Sequence, residues 1–217
     1  MKQQGACVAF GSFEFVHRGH LKVAERVVEL AKDQKFISMI VSCPWEGEVY
    51  TTEKEKEYLL KQTGVEEFRT WQKDSAKMLE DLMQEFETVC VVLAENHPEL
   101  LEIQKWTAKY AMDLQLVPLE TYEERPITYE WLKFLFESND FEMLEKLCGH
   151  PYVLMGDVVH GKKLGRTVGM PTTNLHIYKT KKRPNSGVYA TKVRLGEEVY
   201  LSATNIGKRP TVDDFDY

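Results

Sequence analysis

What the 217-residue sequence lacks excludes several classes of protein. It has four cysteines, which are far apart and form no C-x-x-C pair, so the spacing of a zinc site is absent. Cys7, Cys43 and Cys90 lie in apolar runs and are predicted to be buried core thiols. No run approaches the roughly 18 apolar residues of a membrane span, and the N-terminus lacks the apolar stretch of a secretory signal. The sequence therefore predicts a soluble cytoplasmic protein.

The charge of the chain is unevenly distributed. Residues 149–217 carry 11 basic and 6 acidic side chains, whereas residues 1–148 carry 17 basic and 28 acidic side chains. A basic C-terminal part suits a phosphorylated small molecule. Nucleic acid is a disfavoured partner, because the chain is acidic overall and its cations are not interleaved with aromatic platforms. The expected partners are therefore small-molecule substrates, and the oligomeric state is left open.

The first part of the chain alternates short apolar runs with amphipathic helical patterns. Strands are predicted at residues 6–10, 36–42, 88–93 and 113–117. Helices are predicted at residues 20–32, 52–62, 74–86, 98–110, 128–137 and 140–147. Strands that alternate with helices indicate a parallel sheet with helices on both faces.

Beyond residues 148–151 the pattern changes to glycine-rich turns and strands. Strands are predicted at residues 152–160, 187–195 and 198–205, and the charged stretch 179–186 is predicted to be a solvated loop. The length of the chain suffices for two modest domains. We therefore divide it into one domain at 1–148 and a second at 149–217.

Residues 11–20, GSFEFVHRGH, follow the first predicted strand and open the first predicted helix. A strand, a glycine turn and a helix N-terminus form a phosphate site by geometry alone. His17 and His20 are three residues apart, so both rings can face one ligand across the first helical turn. Imidazole groups can stabilise the charge that develops on a phosphate.

Residues 156–174, GDVVHGKKLGRTVGMPTTN, are the most informative stretch of the chain. Glycine lets the backbone approach a ligand closely, and runs of backbone N–H groups in such loops bind anions. If Pro171 opens an extended segment, Thr172 and Asn174 share one face of it. A hydroxyl and an amide oxygen on one face suit a hard cation such as Mg²⁺.

This stretch resembles the riboflavin kinase family, whose glycine-rich loop precedes a PTxN motif, here residues 171–174. The later segments GVYA (187–190) and NIGKRPT (205–211) are similar to that family's barrel, and HRGH (17–20) resembles the HxGH motif of nucleotidyltransferases. In bacteria the kinase is usually fused behind an FMN adenylyltransferase domain. The resemblance implies an α/β fold: a Rossmann-like nucleotidyltransferase domain, then an incomplete riboflavin-kinase-like β-barrel of which 149–217 is the N-terminal part.

The resemblance also implies an activity and its residues. The chain would phosphorylate riboflavin to FMN with Mg²⁺ and ATP, and adenylylate FMN to FAD. The ATP of the adenylylation would lie on Gly11, Phe13, His17, Gly19, His20, Thr128 and Lys133. The ATP of the kinase reaction would lie on Gly156, Gly161, Lys163, Gly165, Gly169, Thr172 and Asn174. Thr172 and Asn174 would also hold Mg²⁺, and Arg209 and Pro210 would contact the flavin. The kinase base, a glutamate in this family, would lie beyond Tyr217, so no catalytic residue is assigned.

The first domain departs from the family pattern in three places. Glu14 and Phe15 replace an Asp-Gly pair, and because phenylalanine adopts a positive φ only at a cost, we expect a different loop. The family's second phosphate motif, Ile-Ser-Ser-Thr-x-Ile-Arg, falls on residues 127–133, ITYEWLK. There Glu130 would repel a triphosphate if it faced the site, and Lys133 lacks the fork of an arginine. Residues 94–99 replace a segment rich in glycine and phenylalanine.

Two alternatives stay open because of these departures. One is a monofunctional riboflavin kinase with an inactive nucleotidyltransferase domain. The other is a non-catalytic module that binds flavin or nucleotide. His97 and His150 have no visible partners in the sequence and are predicted to be ordinary surface or core histidines.

Overall fold

The structure is a computed structural model that describes residues 2–43, 45–72, 74–159 and 173–207. A five-stranded parallel sheet occupies the first part, and pairs of antiparallel strands occupy the last part. Two short helices connect them. This is the succession of α/β and β structure that the sequence predicts.

The central sheet has the strand order β3-β2-β1-β4-β5. Its strands are β1 (Gln3–Gly11), β2 (Ile37–Ser42), β3 (Glu67–Thr70), β4 (Phe86–Ala94) and β5 (Asp113–Val117). The chain runs outward from β1 through β2 to β3, and then returns to the other side of β1 for β4 and β5. The strand order therefore reverses between β1 and β4. In open sheets of this kind, ligands bind at the carboxyl ends of the strands at that point.

Four helices cover the two faces of the sheet. They are α1 (Arg18–Gln34), α2 (Glu53–Lys61), α3 (Ser75–Glu85) and α4 (Leu100–Lys109). Alternate residues of β1 enter two different cores: Cys7 and Ala9 pack with α1 and α2, whereas Ala6, Val8 and Phe10 pack with α3 and α4. Because both faces are buried, the strand is apolar at successive positions. The predicted parallel sheet with helices on both faces is confirmed.

Local signals fix where two of these helices begin. At α2, Glu55 N–H donates to the Thr52 hydroxyl (3.4 Å), and Thr52 N–H donates to the Glu55 carboxylate (2.8 Å). This reciprocal pair is the capping box that the sequence predicts. At α1, the ring of His17 takes the capping position, and its Nδ1 accepts the N–H of Gly19. The start of α1 is therefore built from the HxGH motif itself.

An aromatic cluster joins the sheet domain to the residues that follow it. Its members are Phe15, Tyr50, Phe136 and Tyr152. The ring centroids are 4.4 Å apart for Phe15 and Tyr50, 5.1 Å for Tyr50 and Phe136, and 4.8 Å for Phe136 and Tyr152. Phe136 belongs to the helix pair α5 (Tyr129–Glu137) and α6 (Phe141–Cys148), which the sequence predicts. Tyr152 follows α6, so this core extends across the predicted boundary at residue 148.

The last part of the chain consists of antiparallel strands. Strand β8 (Asp157–Val159) pairs with β9 (Asn174–His176), and β10 (Gly187–Leu195) pairs with β11 (Glu198–Ile206). Two more short strands, β6 (Thr121–Tyr122) and β7 (Arg125–Pro126), form a hairpin before α5. The strand predicted at 152–160 is shorter than expected, because Tyr152 and Val153 pack against the first domain instead.

Three other expectations need correction. Strand β3 is absent from the sequence prediction, because it is a four-residue edge strand with polar side chains. Cys43 is half-buried rather than buried. Lys181, in the stretch predicted to be a solvated loop, has a side chain that is only 1% exposed, because it is paired with a buried carboxylate.

Within the described ranges, every helix is too short or too polar to cross a bilayer.

Helix α5 offers a test of the packing between the two parts of the chain. Leu132 is fully buried, and Leu132→Ala is expected to lower the free energy of unfolding by about 3 kcal/mol, since truncating a buried leucine leaves a cavity. Phe134 on the same helix is 65% exposed, and Phe134→Ala should cost less than about 1 kcal/mol. Urea unfolding measures both. Equal losses would contradict this orientation of α5.

Candidate functional site

The candidate site lies at the carboxyl end of β1, where the strand order reverses. Strand β1 ends at Gly11, a short 3-10 turn spans Glu14–Val16, and α1 begins at Arg18. We call residues 11–20 the β1–α1 loop. His97, in the turn after β4, packs its ring against Phe10 with centroids 5.3 Å apart. The ends of both central strands therefore contribute histidines to one crevice.

The backbone of the β1–α1 loop is strained. Phe13, Phe15 and Val16 have φ angles of 50°, 64° and 46°. Positive φ at residues other than glycine costs about 1–3 kcal/mol each and persists only where the surroundings impose it. The expectation that Phe15 prevents a positive φ is wrong. Its ring is 2% exposed and stacks on Tyr50, and this packing offsets the backbone strain.

Glu14 anchors the β1–α1 loop to the chain before α2. Its carboxylate accepts the N–H groups of Tyr50 (2.8 Å) and Thr51 (3.2 Å), and it lies 3.0 Å from the ammonium of Lys56. Burial raises the pKa of Glu14, and the charge of Lys56 opposes that rise. Since Glu14 is 4% exposed, its carboxylate is part of the protein interior and does not face a ligand.

His17 and His20 lie together at the start of α1, with ring centroids 3.8 Å apart. Because His17 Nδ1 accepts the N–H of Gly19 at 3.1 Å, the proton of the neutral ring is on Nε2. Burial lowers the pKa of His17 to about 4, against an opposing effect of Glu120. Burial, with the charges of His17 and Lys56, places the pKa of His20 well below its usual value. Both rings are therefore neutral near pH 7.

His20 also has an unused ring nitrogen. Its Nδ1 is buried and has no hydrogen-bond partner among the described residues. A buried polar atom without a partner is costly, so such atoms are concentrated where a ligand completes the site. The pair of rings thus offers neutral nitrogen donors and acceptors beside a helix N-terminus.

Gly19 makes room for His17. A Cβ added to Gly19 would lie 2.9 Å from a ring carbon of His17 and 3.3 Å from the Cβ of Glu120. Glu120 forms ion pairs with Arg18, at 3.5 Å, and with Lys22. Sequence reasoning missed Glu120, because it lies in a loop with several other acidic residues and no motif marks it.

Other residues predicted for this site contribute differently from expectation. The side chain of Phe13 is 3% exposed, belongs to the core and meets His20 edge-on at 5.2 Å, so only its backbone is placed for a ligand. Thr128 caps α5, and its hydroxyl accepts the N–H of Trp131. The ring of His97 packs edge-on against Phe10 at the end of β1.

Lys133 is paired rather than free. Its ammonium donates to Glu48 at 2.7 Å, and Glu48 also pairs with Lys182. Hydrogen bonds from Lys133, Lys182 and the Tyr50 hydroxyl lower the pKa of Glu48 to about 2. A phosphate that binds Lys133 shares its ammonium with Glu48 or competes with Glu48 for it. Glu130 is exposed and forms no ion pair with any other described residue.

Only part of the second predicted site is described. Gly156 lies against β9, where an added Cβ would be 2.4 Å from the carbonyl oxygen of His176, so glycine is needed for this close approach. Asn174 pairs with Val159 and is half-buried, and its amide oxygen suits a hard cation. The remaining predicted residues, namely Gly161, Lys163, Gly165, Gly169, Thr172, Arg209 and Pro210, lie outside the described ranges.

The fold and the first site define a nucleotidyltransferase-like α/β domain, followed by an antiparallel β module. Residues 8–131 match the family model described as cytidylyltransferase-like, and residues 148–216 match the model described as riboflavin kinase. The chain belongs to the family of bifunctional riboflavin kinase/FMN adenylyltransferases.

Curated relatives agree with this assignment. The bifunctional riboflavin kinase/FMN adenylyltransferase of Escherichia coli (strain K12) is 28% identical over 236 aligned residues, which cover 97% of this chain and 75% of the relative. That of Haemophilus influenzae is 46% identical over 76 residues, or 35% of this chain and 24% of the relative.

A solved structure shares the fold. The protein titled "Macrolide-efflux Protein" from Streptococcus pneumoniae aligns with a TM-score of 0.73 over 97% of this chain and 77% of that one, at 20% identity. At that identity the likeness concerns the fold alone.

The neutral state of His17 predicts how stability depends on pH. The folded pKa of about 4 lies below the ordinary 6.5, so the folded state binds fewer protons than the unfolded chain between these values. Stability is then lost as the pH falls from about 6.5 to 4. Because glutamine does not titrate, His17→Gln should make this fall in the free energy of unfolding smaller by about 2 kcal/mol. The figure is less than the full pKa shift implies, since the ring is partly exposed to solvent. Urea unfolding from pH 7.5 to 4 measures it, and an unchanged slope would contradict the assignment.

A second substitution tests the role of Gly156. Gly156→Ala should destabilise the protein by about 2 kcal/mol, because the new methyl group collides with backbone rather than with a flexible side chain. Gly187→Ala is the matched control: its Cβ would meet the ring of Tyr189 at an ordinary 3.5 Å. Thermal unfolding compares the two. Equal melting temperatures would show that β9 moves aside freely.

Proposed function

We propose that this chain makes flavin cofactors in two steps. It transfers the γ-phosphoryl group of ATP to riboflavin, giving FMN, and then transfers the adenylyl group of ATP to FMN, giving FAD. The observation that carries this proposal is the order of the two matched segments, with a half-buried histidine pair at the carboxyl end of β1 in the first. The cytoplasmic location predicted from the sequence stays a prediction.

The β1–α1 loop supplies the adenylyl transfer. An ATP at the N-terminus of α1 meets backbone N–H groups and the positive end of the helix dipole. His17 offers its Nε2–H to a phosphate oxygen, because its Nδ1 is occupied by Gly19. As both rings are neutral, they stabilise the charge of the transition state as hydrogen-bond donors rather than as cations. An oxygen of the FMN phosphate then attacks the α-phosphorus of ATP directly, the bond to the β-phosphate breaks and pyrophosphate leaves, so no covalent intermediate is needed.

The second segment supplies the kinase reaction. We assign Thr172 and Asn174 to Mg²⁺, and the glycines of 156–169 with Lys163 to the ATP phosphates. Mg²⁺ would neutralise the charge of the transferring phosphoryl group, and the residues around it would hold the reactants in line. Arg209 and Pro210 are assigned to riboflavin, and residues 1–148 and 149–217 are the proposed domains.

One contact favours a second candidate function. Lys133, the cation expected for the second phosphate motif, is held by Glu48 and lies 3.8 Å from Glu137. If that pairing persists with ATP present, the first domain lacks a cation of its motif. The chain would then be a riboflavin kinase with an inactive nucleotidyltransferase domain.

Product analysis separates these functions. The full-length protein is incubated with riboflavin, ATP and Mg²⁺, and riboflavin, FMN and FAD are separated by chromatography. We expect FMN followed by FAD. His20→Ala should stop FAD formation and spare FMN, whereas Asn174→Ala should stop both, because FMN is the substrate of the second step.

Asn185→Ala is the control for Asn174→Ala, since its amide only donates to the Glu137 carbonyl. It should leave both products unchanged. FMN without FAD from the unaltered protein would establish the second candidate. Neither product, with flavin or nucleotide still bound, would instead support a non-catalytic binding module.

A further inference from the structure

On the basis of the adenylyltransferase function proposed above, we propose that Lys181 is a positioning residue for the His17–His20 pair. Lys181 lies in the segment that matches the riboflavin kinase model, whereas the histidines lie in the segment that matches the cytidylyltransferase-like model. Residues of the kinase segment would thus hold the adenylyl-transfer site in its working geometry.

The ammonium of Lys181 uses all three of its protons inside the protein. It donates to the carbonyl of Tyr50 (2.5 Å), the carboxylate of Glu55 (2.6 Å) and the carbonyl of Val153 (2.9 Å). The side chains of Lys181 and Glu55 are 1% and 0% exposed. A lysine with every donor satisfied and no contact with solvent fixes the atoms around it.

Tyr50 carries this constraint to the β1–α1 loop in two ways. Its N–H donates to the carboxylate of Glu14 at 2.8 Å, and its ring stacks on Phe15 with an interplanar angle of 22°. Phe15 lies two residues before His17. Lys181 therefore holds the carbonyl of Tyr50. The N–H and the ring of Tyr50 in turn hold the loop that ends in the histidine pair.

Two more residues of the kinase segment hold the same region. The hydroxyl of Tyr152 lies 2.9 Å from the carbonyl oxygen of Tyr50 and 2.7 Å from that of Lys182. His150 Nε2 lies 2.9 Å from the carbonyl oxygen of Val16, the residue directly before His17. The loop is thus contacted from the kinase segment both through Tyr50 and at Val16.

The strain of the loop explains why such contacts matter for catalysis. Three of its residues have positive φ angles, and strained backbone relaxes when its supports are removed. A shift of about 1 Å in a positioning group can cost about a hundredfold in rate. We therefore expect the loss of Lys181 to act on the turnover of adenylylation more than on the folding of the kinase segment.

The test compares Lys181→Met with Lys179→Met, an exposed lysine of the same segment. In Lys181→Met the kcat for FAD formation from FMN should fall at least about tenfold. FMN formation from riboflavin should stay within about twofold, and Lys179→Met should match the unaltered protein in both reactions. A normal kcat for FAD formation in Lys181→Met, or an equal fall of both activities, would overturn the proposal.

The double variant Lys181→Met with Glu55→Gln separates positioning from charge balance. It removes the unpaired carboxylate and keeps one acceptor oxygen for the cap of α2, although the N–H of Met155 loses its acceptor, so its stability should recover in part. The donor to the Tyr50 carbonyl is still missing, so kcat should stay low. Recovery of kcat together with stability would show that Lys181 only balances a buried charge.

Tyr152→Phe provides a variant that leaves the charge pair intact. It removes the hydroxyl that lies 2.9 Å from the Tyr50 carbonyl and 2.7 Å from the Lys182 carbonyl, and thus a contact between the kinase segment and Tyr50. The kcat for FAD formation should fall about threefold. If both Lys181→Met and its double variant with Glu55→Gln fail to fold, an unchanged kcat for FAD formation in Tyr152→Phe overturns the proposal.

A measurement that does not depend on catalysis tests the positioning role of Lys181 separately from the proposed adenylyltransferase function. Imidazole proton and nitrogen resonances of His17 and His20, assigned with His17→Gln and His20→Gln, are recorded without substrate. They should move in Lys181→Met with Glu55→Gln and stay in place in Lys179→Met. Absence of FAD from the unaltered protein rejects the adenylyltransferase function. Unmoved resonances in the double variant reject the positioning role.

Discussion

Two buried ion pairs lie side by side where the β1–α1 loop meets the start of α2. Glu14 pairs with Lys56, and Glu55 pairs with Lys181, with each side chain at most 3% exposed. Buried charges lose much hydration, and their mutual attraction offsets this only when further hydrogen bonds complete the arrangement. Here backbone groups complete it, namely the amides of Tyr50, Thr51, Thr52 and Met155 and the carbonyls of Tyr50 and Val153. The pairs therefore tie together the β1–α1 loop, residues 50–56, residues 153–155 and Lys181.

This constraint also explains how the loop tolerates its sequence. Phenylalanine and valine at positive φ are unfavourable in an isolated turn. The aromatic ring of Phe15 is enclosed by Tyr50 and its neighbours, and Glu14 is held by two amides and an ammonium. The residues that depart from the family pattern thus form a packed alternative to an Asp-Gly pair. In this chain the packing around Phe15 and Glu14 supports a loop with positive φ at a residue other than glycine.

The sequence predicts the elements that depend on local pattern and fails where distant residues decide. Apolar periodicity and the Thr52–Glu55 cap place helices and strands within a few residues, because both signals lie within one turn of chain. The burial of Lys181 has no local signal, since its carboxylate partner is 126 residues away. His150 meets the Val16 carbonyl across 134 residues. The HxGH histidines are predictable as a pair, but their neutral state depends on burial that only the folded chain creates.

The charges around the first site show how an acidic domain can hold an anionic substrate. Lys56, Lys22 and Lys133 are each paired with a carboxylate, and Arg18 shares Glu120 with Lys22. The backbone amides at the start of α1 and the two neutral imidazoles are donors without a net charge. Such donors are fixed by the fold and do not need to be desolvated as ions. Arg18 and Lys22 are about half exposed and share one carboxylate, so they add positive charge beside these donors. The position of the uncharged donors depends on the geometry of the loop, so the contacts that hold the loop become part of the chemistry.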